Sequence, residues 1–176
     1  MGGEVERINR IVQQLLEFAK PVPPKLAPLQ LTPLLDQTLD FLGQECLSRH
    51  ITLTRDYQTP GPLLGDASQL KQVVLNLFLN SLEAMNGAGG RLTVTTRQED
   101  AELVCTVTDT GSGIAPEHLA HLGEPFYTTK PQGTGLGLAV VQGILKEHGG
   151  RLTVTSTVGR GAVAEIRLPL ALRIET

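Results

Sequence analysis

Two glycine-rich clusters hold the residues of this sequence that are best suited to chemistry. The first, from Asp109 to Gly113, reads Asp-Thr-Gly-Ser-Gly, and the second, from Gly133 to Leu138, reads Gly-Thr-Gly-Leu-Gly-Leu. Glycines that precede a helix leave backbone N–H groups uncovered, and such groups suit phosphate oxygens. An acidic residue in one cluster and a phosphate-binding loop in the other indicate a nucleotide, with its base at one end and its phosphates at the other.

A stripe of carboxamide side chains on a predicted helix is the second candidate feature. Asp66 can cap this helix with Gln69 as its capping-box partner, and Asn86-Gly87 can end it. One face is apolar, with Leu70, Val73, Val74, Leu77, Leu82 and Met85, and the opposite face carries Gln69, Gln72, Asn76, Asn80 and Glu83. A solvated helix face usually carries Lys and Glu, whereas carboxamide oxygens are neutral ligands for a cation or a phosphate-bound water. Beside the glycine clusters, the stripe predicts a binding face.

Apolar patterns predict the elements that position both features. Alternating polarity at residues 103–108 indicates a central strand that runs into Asp109, and helical spacing follows the second cluster at residues 138–146. The heptapeptide Gly-Gly-Arg-Leu-Thr-Val-Thr occurs at residues 89–95 and again at 149–155. Each copy predicts the end of a helix followed by a strand.

The remaining segments complete the expected architecture. The pattern predicts a short strand at Leu29 and Leu31, a helix that starts at Thr32-Pro33 with Thr32 as N-cap, a strand at Ile51 and Leu53, a loop over residues 57–65 and a last strand over residues 163–168. The order strand, helix, strand, helix, hairpin, loop, helix, hairpin predicts an α+β fold. Its helices cover one face of a mixed, mostly antiparallel sheet.

The N-terminal residues predict a separate helix from Glu4 to Lys20. Its apolar residues are spaced by three and four, as in the seam of a coiled coil or four-helix bundle: Val5, Ile8, Val12, Leu15 and Ala19. An amphipathic helix packed on its own domain is the alternative. The proline-rich residues 21–24 favour the bundle, because they separate the helix from the rest of the chain.

Composition excludes several classes of protein. The net charge of -3 and the absence of Trp argue against a nucleic-acid partner. No apolar run reaches the length of about 20 residues that a membrane helix needs, and no signal peptide is evident. Cys46 and Cys105 lie in apolar patterns, as buried free thiols of a reducing compartment do, so we expect a cytoplasmic location.

Four motifs stand in an order that is typical of one enzyme family. They are Asn76-x-x-x-Asn80, Asp109-x-Gly111-x-Gly113, Glu-Pro-Phe-Tyr-Thr-Thr-Lys at residues 124–130, and Gly133-Thr134-Gly135-Leu136-Gly137. They resemble the N, G1, F and G2 boxes of the catalytic and ATP-binding domain of sensor histidine kinases, within the superfamily of gyrase and Hsp90 ATPases. The sequences Asn-Ser-Leu-Glu-Ala-Met and Pro-Phe-Tyr-Thr-Thr-Lys are most similar to the nitrogen-regulation and sporulation kinase branches.

The resemblance implies a fold and a domain organisation. The fold is the Bergerat ATP-binding fold, a two-layer α/β sandwich. Residues 1–20 correspond to the end of the dimerisation and phosphoacceptor hairpin, residues 21–28 to a proline-rich linker, residues 29–170 to the ATP-binding catalytic domain and residues 171–176 to a tail. Residues 114–132 correspond to the mobile ATP lid.

The resemblance also implies residue roles. Asp109 accepts a hydrogen bond from the adenine amino group, although an Asp before Gly111 is otherwise a common turn residue. Asn76, Asn80 and Lys130 form the expected catalytic set: Asn80, joined by Asn76, ligates Mg²⁺, and Lys130 reaches the β- or γ-phosphate unless it is simply a solvated lid lysine. The other expected contacts to ATP or ADP are Glu83, Gly111, Gly113, Ile114, Thr129, Gly133, Thr134, Gly135, Leu136, Gly137 and Leu138. Relatives often carry a basic residue at the position of Glu83.

The implied reaction transfers the γ-phosphate of Mg-ATP to a histidine on the dimerisation hairpin, for relay to an aspartate in a response-regulator receiver domain. The full-length protein is then a homodimer, with or without a membrane anchor. The four histidines, His50, His118, His121 and His148, lack the sequence setting of the family's acceptor. We therefore expect the acceptor to lie outside this sequence.

Three other functions remain open from the sequence. A gyrase-type ATP hydrolase carries a Glu where Asn76 stands, and an Asn cannot act as a general base. A nucleotide-binding module without transfer activity is disfavoured by the intact motifs, and an anti-sigma serine kinase by the N-terminal helix. A Walker loop is excluded because no Gly-Lys-Ser/Thr follows the glycines, and a Rossmann site because no βαβ unit surrounds them.

Overall fold

The computed structural model describes residue 12, residues 22–131 and residues 133–171. Within them, the strands are β1 (Ala27–Leu29), β2 (Ile51–Tyr57), β3 (Leu63–Gly65), β4 (Gly90–Glu99), β5 (Glu102–Asp109), β6 (Arg151–Thr157) and β7 (Gly161–Pro169). The helices are α1 (Leu31–Ser48), α2 (Ala67–Ala84), α3 (Pro116–Leu119) and α4 (Gly137–Glu147).

A five-stranded sheet organises the chain, in the order β2-β4-β5-β7-β6. β2 runs parallel to β4, and the other neighbours are antiparallel. β5 is therefore the central strand, as the sequence predicts, and Asp109 ends it. A separate antiparallel ladder joins β1 to β3.

The three long helices cover one face of this sheet, so the fold is the expected two-layer α+β sandwich. Helix and sheet residues share one hydrophobic core, which includes Leu35, Leu39, Val74, Leu77, Phe78, Leu92, Val94, Leu103, Cys105, Val107, Val141, Leu145, Ile166 and Leu168. Both cysteines are buried and free, as expected. Burial raises the pKa of the Cys105 thiol to about 12, which makes it unreactive near neutral pH.

Within the described residues, the opposite face of the sheet carries ion pairs and no helix. Arg167 pairs with Glu165 at 2.7 Å and with Glu99 at 2.7 Å, and Arg97 joins Glu165 at 3.1 Å. Val104 lies between Arg97 and Arg167 in the strand register and is fully buried. The aliphatic stems of the two arginines therefore cover an apolar residue on the outer face.

Two boundary predictions in the first part of the chain are wrong. α1 begins at Leu31 with Gln30 as its N-cap, so Leu31 is helical and Thr32 is not the cap. The reason is that Leu31 is 2% exposed and packs in the core, and this burial outweighs the local capping preference. The predicted loop over residues 57–65 contains β3, which is too short to show alternation and depends on pairing with β1.

The start of α2 follows the prediction only in part. The Asp66 carboxylate caps the helix by accepting hydrogen bonds from the backbone N–H groups of Ser68 and Gln69, at 3.0 and 3.2 Å. Gln69 is not a capping-box partner, because its side chain donates to the carbonyl of Val22 at 2.8 Å. The backbone N–H of Asp66 donates instead to His148 Nε2 at 2.9 Å.

The predicted helix from Glu4 to Lys20 lies outside the described residues, except for Val12, which is helical. No helix in the described part of the chain is long and apolar enough to cross a membrane.

Candidate functional site

Asp109 occupies the predicted position at the end of the central strand and is 5% exposed. Its Oδ1 accepts hydrogen bonds from the backbone N–H groups of Gly111 at 2.9 Å and Ala162 at 3.3 Å. The bond to Gly111 is the local turn expected of an Asp in this position. Because both bonds end on Oδ1, Oδ2 is the oxygen that can accept a hydrogen bond from a ligand.

The loop after Asp109 is held tightly between two other elements. The N–H of Ser112 donates to the carbonyl of Ala84, at the end of α2, at 3.0 Å. A Cβ on Gly111 would lie 2.6 Å from that carbonyl oxygen. Gly113 has φ of +72°, and a Cβ there would lie 2.2 Å from the carbonyl oxygen of Thr157. These glycines are therefore required by packing within the protein, before any contact with a base is considered.

The carboxamide stripe lies beside the start of α4. α2 and α4 pack against each other, and a Cβ on Gly137 would lie 3.8 Å from Asn76 Oδ1. Asn76 and Asn80 are partly buried, whereas Glu83 is exposed. Asn76 thus faces the end of α4 at which backbone N–H groups and the positive end of the helix dipole are found.

The lid reaches this stripe through Lys130. The Lys130 ammonium donates to Asn80 Oδ1 at 3.3 Å and forms an ion pair with the carboxylate of Glu83. Among the described residues, no group of three His, Cys, Asp or Glu side chains could hold a metal ion. An Asn oxygen and a carboxylate that already hold a cation are, however, oxygen donors of the kind that Mg²⁺ prefers.

The second glycine cluster is joined to the lid by the backbone. The N–H of Phe126 donates to the carbonyl of Gly135 at 3.0 Å. Gly135 has φ of +68°, and a Cβ there would lie 2.4 Å from the carbonyl carbon of Phe126. Phe126 itself has φ of +68° and is 62% exposed, which is a strained backbone for a phenylalanine.

The first turn of α4 has Leu136 at its N-cap, with no side-chain cap among the described residues. The N–H of Leu136 donates to Thr134 Oγ1 at 3.3 Å, so this amide is less available to a ligand than expected. The N–H groups of Gly137 and Leu138 open the helix, where an anion is favoured. Gly133 precedes this turn and is exposed.

For two of the residues expected to contact a nucleotide, Ile114 and Thr129, the structure gives less direct support. The N–H of Ile114 donates to Ser156 Oγ at 2.8 Å, and that hydroxyl donates to the carbonyl of Gly161 at 2.7 Å. Thr129 is exposed in the lid next to Lys130. Ser156, which fixes the start of the lid, was not a sequence candidate, because a Ser within a threonine-rich strand gives no distinguishing signal.

The lid also contains a cluster of polar aromatic side chains. His118 Nδ1 lies 2.6 Å from the Tyr127 hydroxyl, and the ring of His121 lies 5.1 Å from that of Tyr127. His121 is exposed, whereas His118 is partly buried by this contact.

Comparison with known proteins finds one matching protein family and several similar kinases. Residues 65–172 match the family of histidine kinase-, DNA gyrase B- and HSP90-like ATPases. The chain is 41% identical over 175 residues to the sensor histidine kinase ZraS of Salmonella typhi, covering 98% of this chain and 37% of that protein. It is 38% identical over 170 residues to sporulation kinase C of Bacillus subtilis, covering 96% and 40%.

A solved structure of a relative has the same fold. The crystal structure of full-length ShkA in complex with AMPPNP superimposes with a TM-score of 0.82 and 28% identity, over 92% of this chain and 35% of that one. The chain thus spans well under half the length of each of these relatives.

Proposed function

Because the chain belongs to the family of histidine kinase-, DNA gyrase B- and HSP90-like ATPases, we propose that it is the ATP-binding catalytic part of a sensor histidine kinase. It binds Mg-ATP and transfers the γ-phosphate to a histidine on a dimerisation hairpin. The kinase names of the ZraS and sporulation kinase C relatives support this proposal, as does the AMPPNP in the ShkA crystal.

One position on α2 favours phosphoryl transfer over ATP hydrolysis. Asn76, whose Oδ1 faces Gly137, cannot accept a proton near neutral pH and so cannot activate water, as the Glu of gyrase-type ATPases does. The carboxylate on the same stripe, Glu83, is held in an ion pair by Lys130. The nucleophile therefore comes from a partner, namely the imidazole of a phosphoacceptor histidine.

The base is read at Asp109. Its Oδ2 accepts a hydrogen bond from the adenine amino group, while Oδ1 remains bonded to backbone N–H groups. Guanine has a carbonyl oxygen at this position, which a carboxylate repels. Gly111, Gly113 and Ile114 form the adjoining wall of the base site.

The phosphates lie between α2, the lid and the first turn of α4. Asn80, together with Asn76, holds Mg²⁺, which when bound offsets the charge of the phosphates and orients them. Lys130 donates to the β- or γ-phosphate, and the amides of Gly135 and Gly137 bind phosphate oxygens. Further contacts come from Glu83, Thr129, Gly133, Thr134, Leu136 and Leu138.

The domain organisation follows from the same assignment. Residues 29–170 form the catalytic domain, residues 21–28 the linker, residues 1–20 the end of the hairpin helix and residues 171–176 a tail. The full-length protein is a homodimer, and its catalytic domain lies in the cytoplasm. The partners of this domain are the dimerisation hairpin of the same protein and the receiver domain of a response regulator. Nucleic acid is not a partner.

Incubation of the 176-residue chain with γ-labelled ATP, Mg²⁺ and a histidine hairpin from a related kinase tests the proposal. We expect acid-labile, base-stable label on the hairpin, and loss of that label in Asn80→Asp through altered metal binding. Asn86→Asp, exposed after the end of α2, is the matched control and should retain transfer. Release of inorganic phosphate without hairpin label would identify a hydrolase, and bound nucleotide without either product would identify a binding module.

A further inference from the structure

The segment before β1 is fastened to the first turn of α2. The N–H of Lys25 donates to Asp66 Oδ2 at 2.9 Å, and the side chain of Gln69 donates to the carbonyl of Val22 at 2.8 Å. We call residues 22–25 the strap. Apart from these bonds the strap is largely exposed, so Asp66 and Gln69 are its main attachment to the fold.

The same turn of α2 is joined to the end of α4. His148, which is 5% exposed, accepts a hydrogen bond from the N–H of Asp66 at its Nε2, at 2.9 Å. Its Nδ1 lies 2.8 Å from the carbonyl oxygen of Ile144 and must be the donor, since a carbonyl only accepts. The neutral imidazole thus bridges the two helices, and neither contact is used by the proposed chemistry.

α2 and α4 lead from this bridge to the phosphate site. Asn76 lies ten residues beyond Asp66, and Gly137 lies eleven residues before His148, so both residues lie about 15 Å along their helices from the bridge. The first turn of α4 there meets the middle of α2, where Gly137 faces Asn76 Oδ1. A change in angle at the bridge therefore alters the spacing between the carboxamide stripe and the phosphate-binding turn.

We propose that Asp66, Gln69 and His148 form a joint that positions α2 and α4 and couples them to the strap, so that releasing the strap weakens nucleotide binding. This coupling rests on the nucleotide site proposed above. Hydrogen bonds from Ser68, Lys25 and Gln69 lower the pKa of Asp66 to about 2, so the carboxylate that holds the strap stays ionised at physiological pH.

The amide of Lys25 reports directly on the strap, and its hydrogen exchange can be followed by NMR with Mg-ADP as the probe. We expect saturating Mg-ADP to slow exchange of this amide by about fivefold, and Gln69→Met to weaken Mg-ADP binding by a similar factor, since coupling is reciprocal. Gln69→Met should also speed Lys25 exchange without nucleotide. Gln44→Met, exposed on α1, is the matched control and should change neither quantity.

A second variant tests the joint from its other side. His148→Phe keeps a buried ring but removes the acceptor for Asp66, and it should also weaken Mg-ADP binding. If this variant fails to fold, Gln69→Met at the partly exposed helix start still decides the question. Unchanged Lys25 exchange, with shifts at Gly135 and Gly137 showing bound Mg-ADP, would overturn the coupling and leave the proposed function intact. If no nucleotide binds, both the proposed function and the coupling fail. Faster exchange of the Lys25 amide in Gln69→Met would in that case still support the attachment of the strap to α2.

Discussion

Lys130 in the lid forms an ion pair with Glu83 on α2. The side chains are 42% and 50% exposed, so the pair itself contributes little to folding stability. Its importance is positional, because the same ammonium also donates to Asn80 Oδ1. A cation thus already occupies the oxygen that is proposed to hold Mg²⁺. If Asn80 holds the metal as proposed, the Lys130 ammonium would leave Asn80 and be available to the phosphates.

Replacement of Lys130 by Met should lower the rate of phosphoryl transfer to a supplied histidine hairpin by about ten- to a hundredfold. The reason is the loss of one hydrogen bond between charged groups at the phosphates. Initial rates of label transfer measure the effect. Lys146→Met, in the last turn of α4, is the matched control, and equal rates in the two variants would contradict a role for Lys130.

Replacement of Asp109 by Asn should remove the preference for ATP over GTP. The Asn oxygen can still accept from Gly111 and Ala162, which directs the amide NH₂ toward the base, where it repels the adenine amino group and suits the guanine carbonyl. We expect ATP affinity to fall by about a hundredfold, as for a lost hydrogen bond to a charged group. Calorimetry with both nucleotides measures this. Asp100→Asn, in an exposed turn, should keep the preference of the wild type.

Replacement of Gly135 by Ala should abolish most transfer while the protein stays folded. A Cβ at this residue requires movement of the Phe126 backbone, and the positive φ adds about 1–2 kcal/mol of strain. Since Gly135 lies in a surface turn, the turn can shift without unfolding the core. Gly143→Ala is the matched control in α4, where a Cβ meets nothing within 4 Å. It should retain transfer and raise the stability by about 0.5–1 kcal/mol.

The sequence predicts those features that are determined by long, regular patterns. The alternation in β5 and the apolar stripe of α2 extend over enough residues to identify both elements, and the motifs then locate Asp109 and Asn80 on them. By contrast, the start of α1 at Leu31 depends on which leucines the core buries. β3 depends on pairing with distant residues, namely those of β1 and Leu170.

The contacts that the sequence could not predict join residues distant in the chain. Gln69 and Val22 are 47 residues apart, as are Lys130 and Glu83, and His148 is 82 residues from Asp66. For Gln69, the local capping-box pattern competes with a partner that only the tertiary fold brings near. The local pattern therefore identifies the start of α2 correctly, but it assigns the side chain of Gln69 to Asp66 instead of to the carbonyl of Val22.

The ion pairs on the outer face of the sheet should make stability depend on pH in the acidic range. The pKa of Glu165 is lowered by Arg167 first and Arg97 next, and Arg97 and Arg167 lower that of Glu99. Carboxyl groups with a lowered pKa stabilise the fold fully above their unfolded pKa of about 4.3, and this stabilisation is lost as the pH falls through the folded value.

Arg167→Met keeps an apolar stem over Val104 but removes the charge. It should therefore melt a few degrees below the wild type at pH 7. This difference should begin to shrink as the pH falls below about 4.3, should vanish below the lowered pKa of the carboxyl groups in the folded protein, and should be smaller in high salt. Thermal melts across this range test the prediction against Arg160→Met, an exposed arginine in the turn between β6 and β7. A difference between Arg167→Met and the wild type that is equally large at low pH would assign the effect to packing over Val104 instead of charge.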